Sequence, residues 1–250
     1  MNRKRIGVAL SGRFGNNLFQ YAFARSYAEL HNCELEVPDW DGTKIFVSDD
    51  KKLDERELVQ RHTSAVEDWF GETDIIIHGC PMRQKHLIYD WNDTRRWFGN
   101  FSEPASDLLE RIPELPCVSH LRHGDFIGLP DFIAVSAESS MLHPENENYR
   151  AVSEHDALVF DHEMAMNLPF LTDFLFLMKA RVLFRANSTF SWWAAILGDH
   201  EKVFAPNLEG IAPEKGCVQD VPFVEGNYPS ISKVHDCCTD LYLRHYEHNT

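Results

Sequence analysis

Residues 6–37 read as strand, turn, helix and second strand in immediate succession, and that order admits few folds. Ile6–Leu10 is a short apolar run, and Ser11–Asn17, with two glycines and two asparagines, has the composition of a turn. From Leu18 to Leu30 apolar residues return at helical spacing: Phe19, Phe23, Tyr27 and Leu30 form one stripe, which Leu18 and Ala22 widen. A stripe of that kind predicts a helix packed on a sheet. Glu34–Val37 then reads as a strand stopped by Pro38. Strands joined through a helix in this way lie parallel, because antiparallel partners need only a tight turn.

The rest of the chain extends the pattern. Residues 39–73 are acidic and irregular, with Asp49, Asp50, Asp54, Glu55 and Glu57, which predicts exposed helix and loop. Asp74–His78 reads as a buried strand. The Trp-rich stretch Tyr89–Phe101 leads to a helix near Ala105–Arg111, and Pro113 and Pro116 bracket a break. That break predicts a boundary between an N-terminal half, 1–115, and a C-terminal half, 116–250. Beyond it come a strand at Cys117–Leu121, an insertion at 129–150 and a short strand at Leu158–Phe160. A helix at Leu171–Lys179 follows. Strands Val182–Ala186 and Lys202–Ala205 then flank a helix, Ser191–Leu197, ended by Gly198. No internal repeat is visible. Strand–helix alternation in both halves predicts α/β architecture with parallel sheets, as two small Rossmann-like halves facing a cleft. In such sheets ligands bind beyond the carboxyl ends of the strands, so the loops that follow strands are where chemistry is sought.

Composition narrows the function classes. The 250 residues are 44% hydrophobic and 25% charged, which excludes a disordered or low-complexity chain. A formal charge of −15 opposes nucleic acid and anionic lipid, so a phosphate ligand requires a local positive pocket. The six cysteines form no C-x-x-C and no paired-His zinc spacing, and they are too sparse for a disulfide scaffold. Reduced thiols are expected. The charged start, Met1–Arg5, precedes an apolar run of about five residues, too short for a signal sequence. The longest apolar stretch, Leu168–Phe184, is broken by Asp173, Lys179 and Arg181, which predicts no transmembrane segment. A cytoplasmic protein is expected.

Three loops carry candidate chemistry. In Ser11–Asn17, Gly12 and Gly15 allow close backbone approach, and Arg13 and Asn16 flank the start of a helix whose amides suit an anion or a sugar hydroxyl. A tight turn with Asn16 as helix cap is the structural alternative. In His120-Leu121-Arg122-His123-Gly124-Asp125-Phe126, the Arg122 guanidinium is a rigid fork suited to a diphosphate, and Asp125 can orient it from behind. A surface turn with an Arg–Asp ion pair is the alternative there. In Asn187-Ser188-Thr189-Phe190-Ser191, three hydroxyls and an amide precede Trp192 and Trp193 at a helix start, a setting that binds phosphate and equally provides a Ser or Thr cap for a core helix.

Taken together and in order, these stretches resemble the glycosyltransferase family 11 fucosyltransferases of the alpha-1,2 type. Gly12–Ala22 (GRFGNNLFQYA) resembles the family's amino-terminal G-x-G-N-Q-hydrophobic-F-Q-Y-A segment. His120–Phe126 resembles its H-x-R-R-G-D-Y, and Asn187–Ala195 (NSTFSWWAA) its N-S-S-F-S-W-W-G-A. The resemblance implies a GT-B-like fold and a nucleotide-sugar donor, GDP-fucose, held mainly by the C-terminal half. It also implies inverting transfer to a glycan or lipid-linked oligosaccharide acceptor, with no metal and no other cofactor. On that reading Arg122 holds the β-phosphate, and His120, His123 and Asn187, Ser188, Thr189, Phe190 and Ser191 complete the donor site. Asp125 fixes the arginine. Gly12, Arg13, Gly15 and Asn16 lie on the acceptor side, and Asp131 is the candidate for receiving the hydroxyl proton. The chain departs from the family pattern at His123, where a second arginine is usual, and in lacking the F-S-D segment, for which Leu158–Asp161 is a remnant.

Other readings remain open. Arg122-His123-Gly124 resembles the R-H-G of histidine phosphatases, in which the histidine accepts a phosphoryl group. The same cleft could bind a nucleotide or glycan without turning it over. Asp39-Trp40-Asp41 has the D-x-D form of metal-dependent glycosyltransferases, a pattern that also arises readily among 39 acidic residues.

Overall fold

The computed structural model describes residues 4–79, 81, 86, 88–120, 132–133, 162–185, 188–206, 217–218 and 231–235. The chain divides into two compact units, Met1–Ala105 and Ser106–Thr250. Both are α/β, with parallel sheets.

The first unit contains β1 (Arg5–Val8), α1 (Phe14–Leu30), β2 (Glu34–Val37), α2 (Gly42–Ile45), β3 (Lys51–Lys52), β4 (Val59–His62), α3 (Val66–Trp69), β5 (Ile75–His78) and α4 (Trp91–Phe98). Its five strands pair in parallel in the order β3-β2-β1-β5-β4. The chain therefore steps outward from β1 to β3, crosses to the opposite edge as β4, and returns beside β1 as β5. The crossing, residues 53–58, runs over β1 at Gly7, where a Cβ would lie 2.7 Å from Leu53 Cδ1 and 2.9 Å from Leu58 Cδ1. Arg5 fastens it by donating from Nη2 to the carbonyl of Arg56 (2.9 Å), and Glu36 accepts from the amide of Asp54 (3.1 Å).

The α1 helix packs on β1 and β2. It begins at Phe14, four residues ahead of the expected Leu18, because Phe14 is itself core: its ring stacks at 6.2 Å on Trp40 and at 6.4 Å on Phe46. The expected stripe is buried at Phe19, Phe23 and Tyr27, whereas Leu30 is 61% exposed. Leu30 is the last helical residue, and the chain turns away behind it. Asn32, in the left-handed region (φ 52°), lets the amides of Asn32 and Cys33 bond back to Glu29 and Ala28 and close the helix. The start of α4 is set by a capping box in which Asp90 accepts from the amides of Asn92 and Asp93 while Asp93 accepts from that of Asp90.

Helix α5 (Glu103–Arg111) spans the division between the units. The second unit continues with β6 (Leu115–Ser119), β7 (Phe132–Ile133), α6 (Glu163–Asn167), α7 (Pro169–Met178), β8 (Ala180–Phe184), α8 (Thr189–Leu197), β9 (Lys202–Pro206), β10 (Cys217–Val218) and β11 (Ile231–His235). Its main sheet is parallel in the order β11-β9-β8-β6, and β7 and β10 form a separate parallel pair. Helix α7, with Pro169 at its first position, packs on β6, β8 and α8. Leu171, Phe174, Leu175, Leu183, Phe184, Trp192 and Trp193 form the core between them. Strands β6 and β8 each lie two residues earlier than their expected spans, and α8 starts at Thr189 instead of Ser191. The expected boundary at 115/116 coincides with the start of β6, and the strand expected at Leu158–Phe160 lies outside the described residues. Among the described residues, no helix is long and apolar enough to cross a membrane.

Candidate functional site

Each unit presents a carboxyl edge where strands end in loops. In the first, Ser11, Gly12 and Arg13 are exposed just beyond β1. Gly12 has φ 80°, and a Cβ there would lie 2.8 Å from Asn16 Nδ2, so this turn requires glycine. Arg13 is the N-cap of α1 through its extended backbone, with no side-chain cap bond, and its carbonyl accepts from the amides of Asn16 (2.9 Å) and Asn17 (3.0 Å). Asn16 therefore sits in the first helical turn and is not the cap. The four expected residues Gly12, Arg13, Gly15 and Asn16 lie together on this turn.

What holds the turn is Gln20, 2% exposed. Its Oε1 accepts from the Ser11 amide (2.9 Å) and from Asn17 Nδ2 (3.2 Å), while its Nε2 donates to Ser11 Oγ (3.0 Å) and to the Gly79 carbonyl (2.9 Å). One side chain thus ties the loop after β1 to the loop after β5. Gly79 has φ 103°, and a Cβ there would lie 2.5 Å from Thr63 Oγ1 and 2.9 Å from His62 Nε2. His62, Thr63 and Gly79 accordingly belong to the same edge. Sequence reasoning missed all three: the only local mark is a glycine after an apolar run, and His62 ends, and Thr63 follows, a strand, β4, that no apolar pattern marks.

In the second unit the pairing of β6 with β8 ends at Ser119 opposite Phe184, and the His120 amide donates to the Phe184 carbonyl at 2.9 Å. The His120 ring lies 5.8 Å from the Phe190 ring, which rests on Phe174 at 5.1 Å. His120 and Ser188–Phe190 therefore lie at one carboxyl edge. Ser188 caps α8, its Oγ accepting from the Phe190 amide at 3.2 Å, and Ser188, Thr189 and Ser191 are all buried. The helix behind them is core, as the alternative reading of this segment expects, with Trp192 and Trp193 fully buried.

Arg185, unforeseen from the sequence, follows β8 on this edge. It is 2% exposed, and burial pulls its guanidinium down to about 10. Its one sequence signal is a cation inside the run Val182–Ala186, which reads as strand and nothing more.

Arg122, His123, Asp125, Asp131 and Asn187 lie outside the described residues. Asp39 and Asp41 are each in an ion pair, with Lys52 (3.1 Å) and Lys44 (3.4 Å). A polar recess at the opposite, amino edge of the first sheet is lined by Arg25, Glu29, Glu34, Asp49, Asp50 and Lys51. Its charges answer one another: Arg25 bridges Asp50 and Glu29, Lys51 pairs with Glu34, and Tyr21 donates to Asp50 at 2.6 Å. Burial and the adjoining Asp50 carboxylate both push the Tyr21 hydroxyl pKa upward, so it stays a donor. Among the described residues no group of three or more His, Cys, Asp or Glu side chains is arranged to hold a metal. Compared with protein-family models and with curated proteins, the sequence finds no match in either.

Proposed function

We propose that the chain is an inverting, metal-independent glycosyltransferase of GT-B-like architecture. It transfers L-fucose from GDP-fucose to a hydroxyl of a glycan or lipid-linked oligosaccharide, in the manner of alpha-1,2-fucosyltransferases. The observation that carries this reading is the convergence of two sequence motifs on adjacent parallel strands: His120 leaves β6, Ser188–Phe190 follow β8, and the rings of His120 and Phe190 touch. Carboxyl ends of parallel strands are where α/β sheets bind ligands.

In this reading the acceptor oxygen attacks the anomeric carbon from the face opposite the bond to the β-phosphate. That bond breaks, its electron pair leaves with GDP, and Asp131 receives the hydroxyl proton. Arg122, oriented by Asp125 and His120, neutralises the charge that grows on the leaving group, aided by donors around Asn187–Ser191. A guanidinium and backbone amides in that role make a metal unnecessary. The turn at Gly12, Arg13, Gly15 and Asn16 serves the acceptor side.

A donor panel of GDP-fucose, GDP-mannose and UDP-sugars, read by nucleotide release with wild type and Arg122→Ala, tests the proposal. GDP release from GDP-fucose is expected, falling about 100- to 1,000-fold in the variant, the usual loss of one preorganised donor. An unchanged rate refutes it. Affinity for GDP-fucose without release identifies a binding protein instead. Phosphate release that depends on His123, with no sugar transfer, identifies a phosphohydrolase.

A further inference from the structure

We propose that His62 and Ser11, at the carboxyl edge of the first sheet, donate hydrogen bonds to the acceptor, and that this acceptor is an oligosaccharide of at least two sugars. The inference deepens the glycosyltransferase reading above and rests on it. It starts from topology. The order β3-β2-β1-β5-β4 reverses beside β1, and in parallel sheets ligands bind outside the carboxyl ends of the strands at such a reversal. Ser11 follows β1, Gly79 follows β5, and His62 ends β4 in register with His78 of β5. The three positions thus sit on neighbouring strand ends within one unit.

Both side chains are held by bonds that use their acceptor capacity and leave a proton to give. The Ser64 amide donates to His62 Nδ1 at 3.2 Å, and the Ser64 hydroxyl lies 2.7 Å from the same atom. An amide N–H can only donate, so Nδ1 accepts and the neutral ring carries its proton on Nε2. The backbone beneath is fixed as well, because buried Trp69 donates from its indole to the His62 carbonyl at 3.0 Å. The ring is exposed, and Nε2 meets no partner among the described residues. Gly79 keeps that nitrogen uncovered, since a Cβ there would crowd it at 2.9 Å. Ser11, also exposed, stands on the other side of Gly79. Its Oγ accepts from Gln20 Nε2 at 3.0 Å, which frees the hydroxyl proton, and the same Gln20 nitrogen holds the Gly79 carbonyl at 2.9 Å. Sugar hydroxyls accept hydrogen bonds and meet such preset donors directly. Neighbouring strands lie about 4.8 Å apart, so the ends of β1 and β4, with β5 between them, are separated by about 10 Å. One pyranose ring does not reach across that strip, and two do.

Wild type, His62→Asn and His62→Gln are compared on galactose, lactose and N-acetyllactosamine, by calorimetric titration and by steady-state transfer from GDP-fucose, with circular dichroism reporting the fold. Asparagine puts an oxygen near the place of Nδ1 and keeps the cap on Ser64, but has nothing at Nε2; glutamine puts an amide N–H near Nε2. In wild type both disaccharides are expected to bind more tightly than galactose. His62→Asn should raise Kd and KM for the disaccharides about three- to tenfold, the worth of one neutral hydrogen bond, with the KM for GDP-fucose unmoved, and His62→Gln should recover part of the loss. A folded His62→Asn variant with wild-type affinity for the disaccharides overturns the inference and leaves the transferase reading standing if GDP-fucose is still turned over. Galactose bound as tightly as the disaccharides also overturns it. Disaccharide binding that needs His62, in a protein that neither binds nor cleaves GDP-fucose, sustains the glycan seat and removes the transferase reading. A wild type that binds none of the three sugars overturns the inference, and GDP release from GDP-fucose then decides the transferase reading by itself. Should neither variant fold, a crystal structure of wild type with lactose decides: a sugar oxygen within hydrogen-bonding distance of His62 Nε2 supports the inference, and a sugar elsewhere, or none, overturns it.

Discussion

Gln20 shows how much one side chain can organise. It lies on the second turn of α1, where a leucine would satisfy the apolar pattern of its neighbours Leu18, Phe19, Ala22 and Phe23. An amide is there because the two loops it faces offer groups of both kinds: the Ser11 amide to accept from, and the Gly79 carbonyl to donate to. Replacing it with leucine strands these backbone groups, though water reaches the exposed Ser11 and softens the loss. Gln20→Leu is therefore expected to destabilise the protein by about 1–3 kcal/mol, measured by urea unfolding. Faster amide exchange at Ser11 and around Gly79 should accompany it, with little change in β2. A variant within about 0.5 kcal/mol of wild type would mean that these bonds hold nothing in place.

Elements in this chain were legible where burial imposes a pattern and illegible where it does not. Glu34–Val37 reads as a strand from sequence and is one, and Ile75–Ile77, three consecutive buried residues, fits a central strand covered on both faces. Strands β3 and β4 escaped notice because they are sheet edges: Lys51, Lys52, Val59 and Gln60 are exposed, so no alternation marks them. The turn after β1 was readable, as was the placing of His120 after β6 and of Ser188 after β8, since each follows an apolar run. Gly79 and Arg185 were not, because a single residue beside such a run has no local signature and acquires meaning only through strands distant in sequence. The crossing of residues 53–58 over Gly7 is the clearest case. In an ordinary buried strand, valine suits the pleated backbone better than glycine does. Here the sign reverses: Gly7→Val drives a branched side chain into Leu53 and Leu58 and is expected to cost about 1–3 kcal/mol by chemical denaturation. A stabilised Gly7→Val protein would show that the crossing does not press on β1.

Charge acts on the molecule as a whole. The excess of 15 negative charges at neutral pH is distributed over a surface where, among the described residues, pairs such as Lys52–Asp39 and Arg56–Asp54 are exposed and contribute little to stability. Local pairing therefore leaves a long-range self-repulsion that dissolved salt screens. Thirteen histidines can offset nearly all of that excess once protonated. Raising sodium chloride from about 0.02 to 0.3 M should accordingly raise Tm at pH 8 and have a much smaller effect at pH 5.5, below the ordinary histidine range of about 6.5. A second effect of opposite sign enters in acid. Burial raises the Glu29 carboxyl, but hydrogen bonds from Arg96 and Trp97, with the charges of Arg96 and Arg25, outweigh it and hold the group below its usual 4.5. Exposed Asp54 is held to about 2 by its bonds to Arg56. A carboxylate whose folded value is depressed contributes stability above its unfolded value and loses it as pH falls through the folded one. At low salt, Tm should then rise from pH 8 toward pH 5.5 as repulsion fades and fall below about pH 4.5 as these carboxylates protonate. Thermal melts by circular dichroism across that range check both limbs, and an equal salt response at pH 8 and pH 5.5 would rule out self-repulsion as the governing term at neutral pH.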